Sequence, residues 1–163
     1  MLAADGFDDA AFAGVKKALV AAGAQTKIVA PRLGFLTGAS GEKIKIDFSL
    51  LTAASVLFDA VYVPGGEKSV DVLMGDADAV HFVNEAYRHC KAIAATGAGV
   101  DLLGVSYLAA KIKEADREGN QVSAKEGVVI SRGAPAAKVA AEFIKAIAQH
   151  RHWSREKIDD VPA

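Results

Sequence analysis

Two short apolar runs end abruptly on glycine. Ala60-Val61-Tyr62-Val63 stops at Pro64-Gly65-Gly66, and Ala92-Ile93-Ala94-Ala95 runs into Thr96-Gly97-Ala98-Gly99. A continuous apolar run of this length, without polar alternation, fits a strand buried on both faces, which is the environment of a parallel sheet. Parallel strands need crossovers between them, and the intervening stretches supply helical patterns. After Leu2-Ala3-Ala4 and the turn Asp5-Gly6, Phe12, Val15, Leu19 and Ala22 fall on one face, while Lys16 and Lys17 point away. Asp8 and Asp9 complement the helix start, and Gly23 is a natural stop.

The remaining segments continue the alternation. Thr26-Lys27-Ile28-Val29 is a short β-rich run closed by Pro31, and Gly34 to Ile46 alternates around Gly38 and Gly41 as a small hairpin would. Phe48 to Phe58 is ambiguous by period. Asp76 to Cys90 predicts a helix with Val80, Val83, Tyr87 and Cys90 facing the core. Val128-Val129-Ile130 is a late strand, and Pro135 opens a final helix with Val139, Phe143 and Ile147 inward and Lys138, Glu142 and Lys145 outward. The prediction is an α/β fold, a mostly parallel sheet with helices on both faces.

At 163 residues the chain fits one domain, spanning residues 1–163. No run approaches the ~20 apolar residues of a membrane span, and the first residues lack a basic leader. A net charge of −1 gives no electrostatic case for nucleic acid or an anionic membrane. The single cysteine, Cys90, excludes an internal disulfide and suits a reducing, cytoplasmic setting. One feature is out of place. Only three apolar residues precede Asp5-Gly6, fewer than the five or so of a usual strand, so the chain reads as a fragment cut inside its first strand, which would leave apolar surface and unpaired backbone exposed.

In open parallel sheets, ligands bind at the carboxyl ends of strands. Three such ends are visible: Asp5-Gly6, Pro64-Gly65-Gly66 and Thr96-Gly97-Ala98-Gly99. Together with the strands before them, these turns resemble the PfpI-type branch of the glutamine-amidotransferase-like superfamily. The resemblance implies a flavodoxin-like, three-layer sandwich with a cysteine at a sharp strand-to-helix elbow, approximately Ala-Ala-x-Cys-x-Gly-Pro. Here that stretch is Ala94-Ala95-Thr96-Gly97-Ala98-Gly99-Val100. Gly97 stands in the cysteine's place, and Ala98 where a histidine often follows. The family's supporting glutamate falls at Ala11. The resemblance therefore implies a degenerate elbow at Thr96, Gly97 and Ala98 with no catalytic residue, and Thr96 reads as a turn or cap residue.

A narrower likeness lies at the end of the chain. Ala148-Gln149-His150-Arg151-His152-Trp153-Ser154-Arg155-Glu156-Lys157-Ile158-Asp159-Asp160-Val161-Pro162-Ala163 combines rare residues in a fixed order. With Val29 to Gly34 and Phe82 to Ile93, it resembles the C-terminal domains of large-subunit haem catalases. That likeness implies a noncatalytic accessory domain with no cofactor of its own, the haem lying in the parent enzyme. It also implies a catalase core and neighbouring subunits of a homotetramer as partners, a stabilising role, some influence over access to the haem, and chaperone-like action on unfolded clients. A free-standing PfpI-like hydrolase or glyoxalase with an unconventional site near Thr96 is the alternative. A flavodoxin-like nucleotide binder is a weaker one, because Asp5, Asp8 and Asp9 at the first turn would repel phosphate.

Other candidates read as structural. His81, Glu85 and His89 share one helix face and could suggest a metal, but they lie opposite the expected core face and form a solvated one. Cys90 reads as a small core residue. The tail is expected to dock against the fold or a neighbouring subunit, with Trp153 as the apolar anchor and Arg151 or Arg155 pairing acidic groups.

Overall fold

The computed structural model describes residues 1–115 and 121–156. Helix α1 (Asp9–Ala21) starts where Asp8 accepts the Ala11 N–H at 3.0 Å, and the chain leaves it through Gly23 at φ 86°. Phe12, Val15 and Leu19 are buried as their spacing requires, whereas Ala22 is an exposed C-cap.

Parallel pairing builds the sheet. Strand β5 (Ala60–Val63) pairs with β6 (Ala92–Thr96), which pairs with β8 (Val128–Ser131); β7 (Ser123–Lys125) adds an antiparallel edge. On the other side, β1 (Val29–Ala30) runs parallel to β4 (Phe48–Ser49). Leu2 joins the two groups: it bridges Val29 in parallel, and its N–H donates to the Tyr62 carbonyl at 2.9 Å. The spatial order is therefore β4, β1, Leu2–Ala4, β5, β6, β8, β7. Strands β2 (Phe35–Thr37) and β3 (Lys43–Lys45) form the separate antiparallel hairpin.

Alternation along the strands feeds two cores. Leu2, Val61, Val63, Ile93, Ala95, Val128 and Ile130 face α2 (Glu67–Met74), α3 (Ala77–Arg88), α4 (Gly99–Gly104) and α5 (Ala109–Ala115). Tyr62, Ala92, Ala94 and Val129 face α1 and α6 (Ala136–Ala148). A third cluster, including Ala3, Phe7, Phe12 and Leu36, packs the hairpin onto α1. The result is the three-layer sandwich expected.

Three expectations need correction. The short first strand is not an exposed, unpaired edge: Leu2, Ala3 and Ala4 are buried and hydrogen-bonded within the sheet, with Ala4 N–H also donating to the buried Ser69 hydroxyl at 2.8 Å. Helix α3 spans nearly the expected residues, but its buried face is Ala79, Phe82, Val83 and Ala86, leaving Val80 and Tyr87 half-buried. Cys90 is buried outside the helix, after a turn that puts it at φ 56°.

Of the tail, residues 157–163 lie outside the described residues. Its buried member is His152, while Trp153 is 63% exposed. The His152 N–H donates to the Cys90 carbonyl at 2.7 Å, and Nε2 lies 3.1 Å from the Ala146 carbonyl. The imidazole occupies the space that a Cβ on Gly127 would need. Burial, with Arg155 adding to it and the Ala146 bond opposing, holds this imidazole below the ordinary value of 6.5. An unfolded chain then takes up a proton that the folded chain resists, so stability should be full above about pH 6.5 and fall below it. Denaturant titrations at pH 7.5 and 5.5 check this: the loss on acidification should be larger for the native chain than for His152→Gln.

Candidate functional site

The three glycine turns, far apart in sequence, meet at one edge of the sheet. The Asp8 N–H donates to the Gly65 carbonyl at 2.8 Å. A Cβ on Gly65 would sit 3.2 Å from the Thr96 carbonyl oxygen and 3.5 Å from Gly97 Cα. Gly66, at φ 107°, is packed so closely that a Cβ would fall inside the Gly6 carbonyl oxygen and 2.7 Å from Phe7 Cα. Gly99 lies against the carbonyls of Val63 and Pro64, where a Cβ would come within 2.6 and 2.7 Å of their oxygens. This is the point between Leu2–Ala4 and β5 where the order of connections reverses, the usual ligand crevice of such sheets. Main chain fills it.

The elbow turns on a glycine at positive φ. Gly97 follows β6 at φ 53°, its N–H donating to the Ser131 carbonyl at 2.9 Å. Space does not forbid a side chain there, since a Cβ would lie 3.5 Å from Gly65 Cα, an ordinary contact. Gly97 and Ala98 are half-buried, and α4 begins directly after them. Ala11 sits in the first turns of α1, tied to this edge through Asp8.

Thr96 points inward instead. It is 6% exposed, and its hydroxyl lies 2.7 Å from the Tyr62 hydroxyl within the sheet. Burial pushes the Tyr62 phenol above its ordinary range, with the Thr96 bond opposing and Asp8 adding. A phenol held protonated is a poor general base. The pair closes two buried hydroxyls on each other, which is what a core demands of polar groups. Tyr62 sits mid-run in an apolar strand, so only its hydroxyl signalled a buried partner.

The other candidates lie elsewhere. His81, Glu85 and His89 line a groove of about 560 Å³ between α3 and residues 50–56. Glu85 accepts from Arg88 Nη1 at 3.1 Å and lies 3.6 Å from His89 Nε2, so its carboxylate is already engaged on the helix surface. Among the described residues, no group of three or more His, Cys, Asp or Glu is placed to hold a metal ion. A second groove, about 540 Å³, opens beside β7 and β8. Neither includes the elbow. Among the described residues, no helix is long and apolar enough to cross a membrane.

Lysine 91 escaped notice in the sequence. It is 1% exposed, and its ammonium donates to the carbonyls of Ser55 and Phe58, each at 2.6 Å. Burial, then Arg151, pull its pKa down while Asp59 opposes. Arg155 caps the same corner: it donates to the Lys91 carbonyl and its guanidinium carbon lies 4.7 Å from the Tyr87 ring centre. Of the two expected arginine pairings with acids, Arg151 reaches Asp59 at 4.0 Å, whereas Arg155 is bonded to main chain.

Comparison with known proteins agrees with this geometry. The fold matches a ThiJ/PfpI domain protein from Brachyspira murdochii at TM-score 0.78 and 21% identity, over 91% of this chain and 94% of that one. It matches DJ-1 from Schizosaccharomyces pombe at 0.76 and 17%, over 99% and 97%. At these identities the likeness is one of fold, the flavodoxin-like sandwich. In sequence, the chain is 42% identical to "Catalase HPII" from Mycobacterium avium over its whole length, which is 23% of that protein. It is 35% identical to "Catalase-2" from Bacillus subtilis over 95% of this chain and 20% of that protein. The chain thus spans about a fifth of the curated relatives it matches. A family model described as the C-terminal domain found in long catalases matches residues 1–157, and this chain belongs to that family.

Proposed function

We propose that residues 1–163 are one accessory domain of a haem catalase, noncatalytic in themselves, contributing to the stability and oligomeric structure of a cytoplasmic parent enzyme. The observation that carries this is the elbow: Gly97 keeps the positive φ of a nucleophile-bearing turn, yet Gly97, Ala98 and Ala11 supply neither nucleophile, base nor acid. The buried Thr96 hydroxyl, bonded to a protonated phenol, is no substitute. The whole-length match to catalases, of which this chain spans about a fifth, supports a parent whose peroxide decomposition is carried by the remaining four-fifths. Among the described residues, the histidines do not fit an enclosed haem site, and His150 is exposed. His81 and His89 stand on the rim of an open groove, and the buried His152 already has Nε2 on a carbonyl.

The purified chain should show no peptidase, esterase or glyoxalase turnover. Reproducible activity that vanishes in Thr96→Val would overturn noncatalytic status and favour the hydrolase alternative. Removing the domain from the parent should shorten the half-life of thermal inactivation and leave peroxide turnover per haem within about twofold.

Chaperone-like action on unfolding clients is part of the same proposal. Its physical support is not an unpaired strand, since Leu2–Ala4 is bonded within the sheet. Exposed apolar side chains remain: Leu51 is 80% exposed, Phe35 67% and Val56 65%. In a light-scattering assay, a tenfold molar excess of the chain should suppress heat aggregation of an unrelated enzyme without ATP. An unchanged aggregation curve, with normal albumin controls, would leave the structural role alone.

A further inference from the structure

Helix α3 shows solvent a charged stripe with an acid at one end and a base at the other. Asp78, His81, Glu85 and Arg88 are spaced three, four and three residues apart, which puts them on one face. That face is turned away from the buried Ala79, Phe82, Val83 and Ala86. Asp78, His81 and Arg88 are exposed, and Glu85 is half-buried. Within the chain the stripe is only partly paired. Glu85 takes Arg88 Nη1 at 3.1 Å and lies 3.6 Å from His89 Nε2. Among the described residues, no ion pair reaches the Asp78 carboxylate or His81. Across the groove of about 560 Å³, Leu51 and Val56 are 80% and 65% exposed, and this second wall, residues 50–56, carries no charge.

The order of these charges is self-complementary in one orientation. A second copy whose α3 runs antiparallel, about a two-fold axis level with Val83, sets Asp78 opposite the second copy's Arg88 and His81 opposite its Glu85. Symmetry repeats each pair. Parallel helices in register would instead set Asp78 against Asp78 and Arg88 against Arg88. The three-four-three spacing is also a seam on which two helices pack at a shallow angle. Donors remain for the second partner: a guanidinium has five N–H groups, and an imidazole donates in either charge state. Exposed ion pairs alone are worth little. The uncharged wall supplies the hydrophobic share, since Leu51 and Val56 stand beside the seam and leave water with it.

We infer that the outer face of α3, with the apolar wall of residues 50–56, is a contact between two copies of this chain related by a two-fold axis past the middle of α3. The inference rests on the oligomeric part of the proposed function and names the face that carries it. A partner of one charge sign is the poorer occupant: a cationic segment meets Arg88, and an acidic one meets Asp78 and Glu85.

Cysteine pairs in the native full-length protein test it. Positions 78 and 88 lie on one helix, separated by about 15 Å along its axis, and a disulfide needs Cα atoms within about 7 Å. The double variant Asp78→Cys, Arg88→Cys therefore cannot link within one copy. Under mild oxidation it should give at least tenfold more covalent dimer than either single variant, with mass spectrometry placing the bridge between positions 78 and 88. Adding Leu51→Asp should cut that yield at least fivefold. A yield within twofold of the single variants, or bridges from 78 to 78 or 88 to 88, overturns the antiparallel contact. A yield unchanged by Leu51→Asp overturns the part given to the apolar wall. Haem absorbance and assembled mass of the same preparation separate the failures. Unlinked chains in an assembled haem protein overturn the contact alone, whereas a monomer without haem overturns the proposed function as well.

Discussion

Gly66→Ala is expected to remove a large share of the chain's stability. Gly66 adopts φ 107°, which an alanine reaches only with strain, and its Cβ would overlap the Gly6 carbonyl and press on Phe7 Cα and the Asp8 nitrogen. All three neighbours are main chain, so no side-chain rotation relieves the overlap. Strained φ alone costs about 1–3 kcal/mol. The overlap must also separate the first turn from Pro64-Gly65-Gly66 and break the Asp8–Gly65 bond. The sum should exceed about 4 kcal/mol, a large share of the roughly 5–15 kcal/mol that holds a domain folded. A thermal midpoint lowered by about 10 °C or more, or loss of the cooperative transition, is the measurement. Gly97→Ala is the contrast, because its Cβ meets Gly65 Cα at an ordinary 3.5 Å; that variant should stay folded, with a cost of about 1 kcal/mol from φ 53°.

Lys91→Ala should destabilise by about 3 kcal/mol, and Lys91→Met by nearly as much, despite its similar length. The ammonium donates to the buried Ser55 carbonyl and the half-buried Phe58 carbonyl, at the two ends of the short 3-10 turn Ser55–Leu57. Either substitution leaves the Phe58 carbonyl without its lysine donor and the Ser55 carbonyl with only the Phe58 N–H at 3.0 Å, and an orphaned group costs about 1–3 kcal/mol beyond the loss of two charge-assisted bonds. Methionine restores the volume but not the donors, so its failure to rescue separates hydrogen bonding from packing. In urea, with a slope of roughly 1–3 kcal/mol per molar, the midpoint should fall by about 1–2 M. A midpoint shift under about 0.3 M for both variants would show that the carbonyls find other donors.

The legible parts of this fold were those in which one local rule acts alone. β5, β6 and β8 declared themselves as buried apolar runs, two of them stopped by glycine turns, and α6 by Pro135 and its inward Val139 and Phe143. The hairpin followed from alternation around Gly38 and Gly41. Helices α2, α4 and α5 were missed, being six to eight residues long, too short to establish a period. The face of α3 was misread because Cys90, though buried, lies past the turn that ends the helix, so its position does not extend the helical wheel.

At the site, each glycine turn was visible, but not that all three converge and seal the crevice between them. Contacts such as Gly66 against Gly6 join residues remote in sequence. The tail shows a similar limit. Trp153 is the more hydrophobic residue, yet the slot above Gly127 admits a flat imidazole that can also bond the Ala146 carbonyl. Size and a waiting acceptor decided the matter, and neither is written next to His152.

The position of Leu2–Ala4 sets how the sheet can come apart. β1 and β4 on one side, and β5, β6, β8 and β7 on the other, are separate ladders joined through this segment. It works as a keystone: three residues, with their bonds to Val29 and Tyr62, hold two half-sheets in one plane. Whatever displaces them, whether a pull along the backbone or a competing strand, parts the molecule down its middle rather than fraying it from an edge. The seam would open between α1's anchorage and β5, bringing Ala3 and Tyr62, now buried at 0% and 1% exposure, to water together.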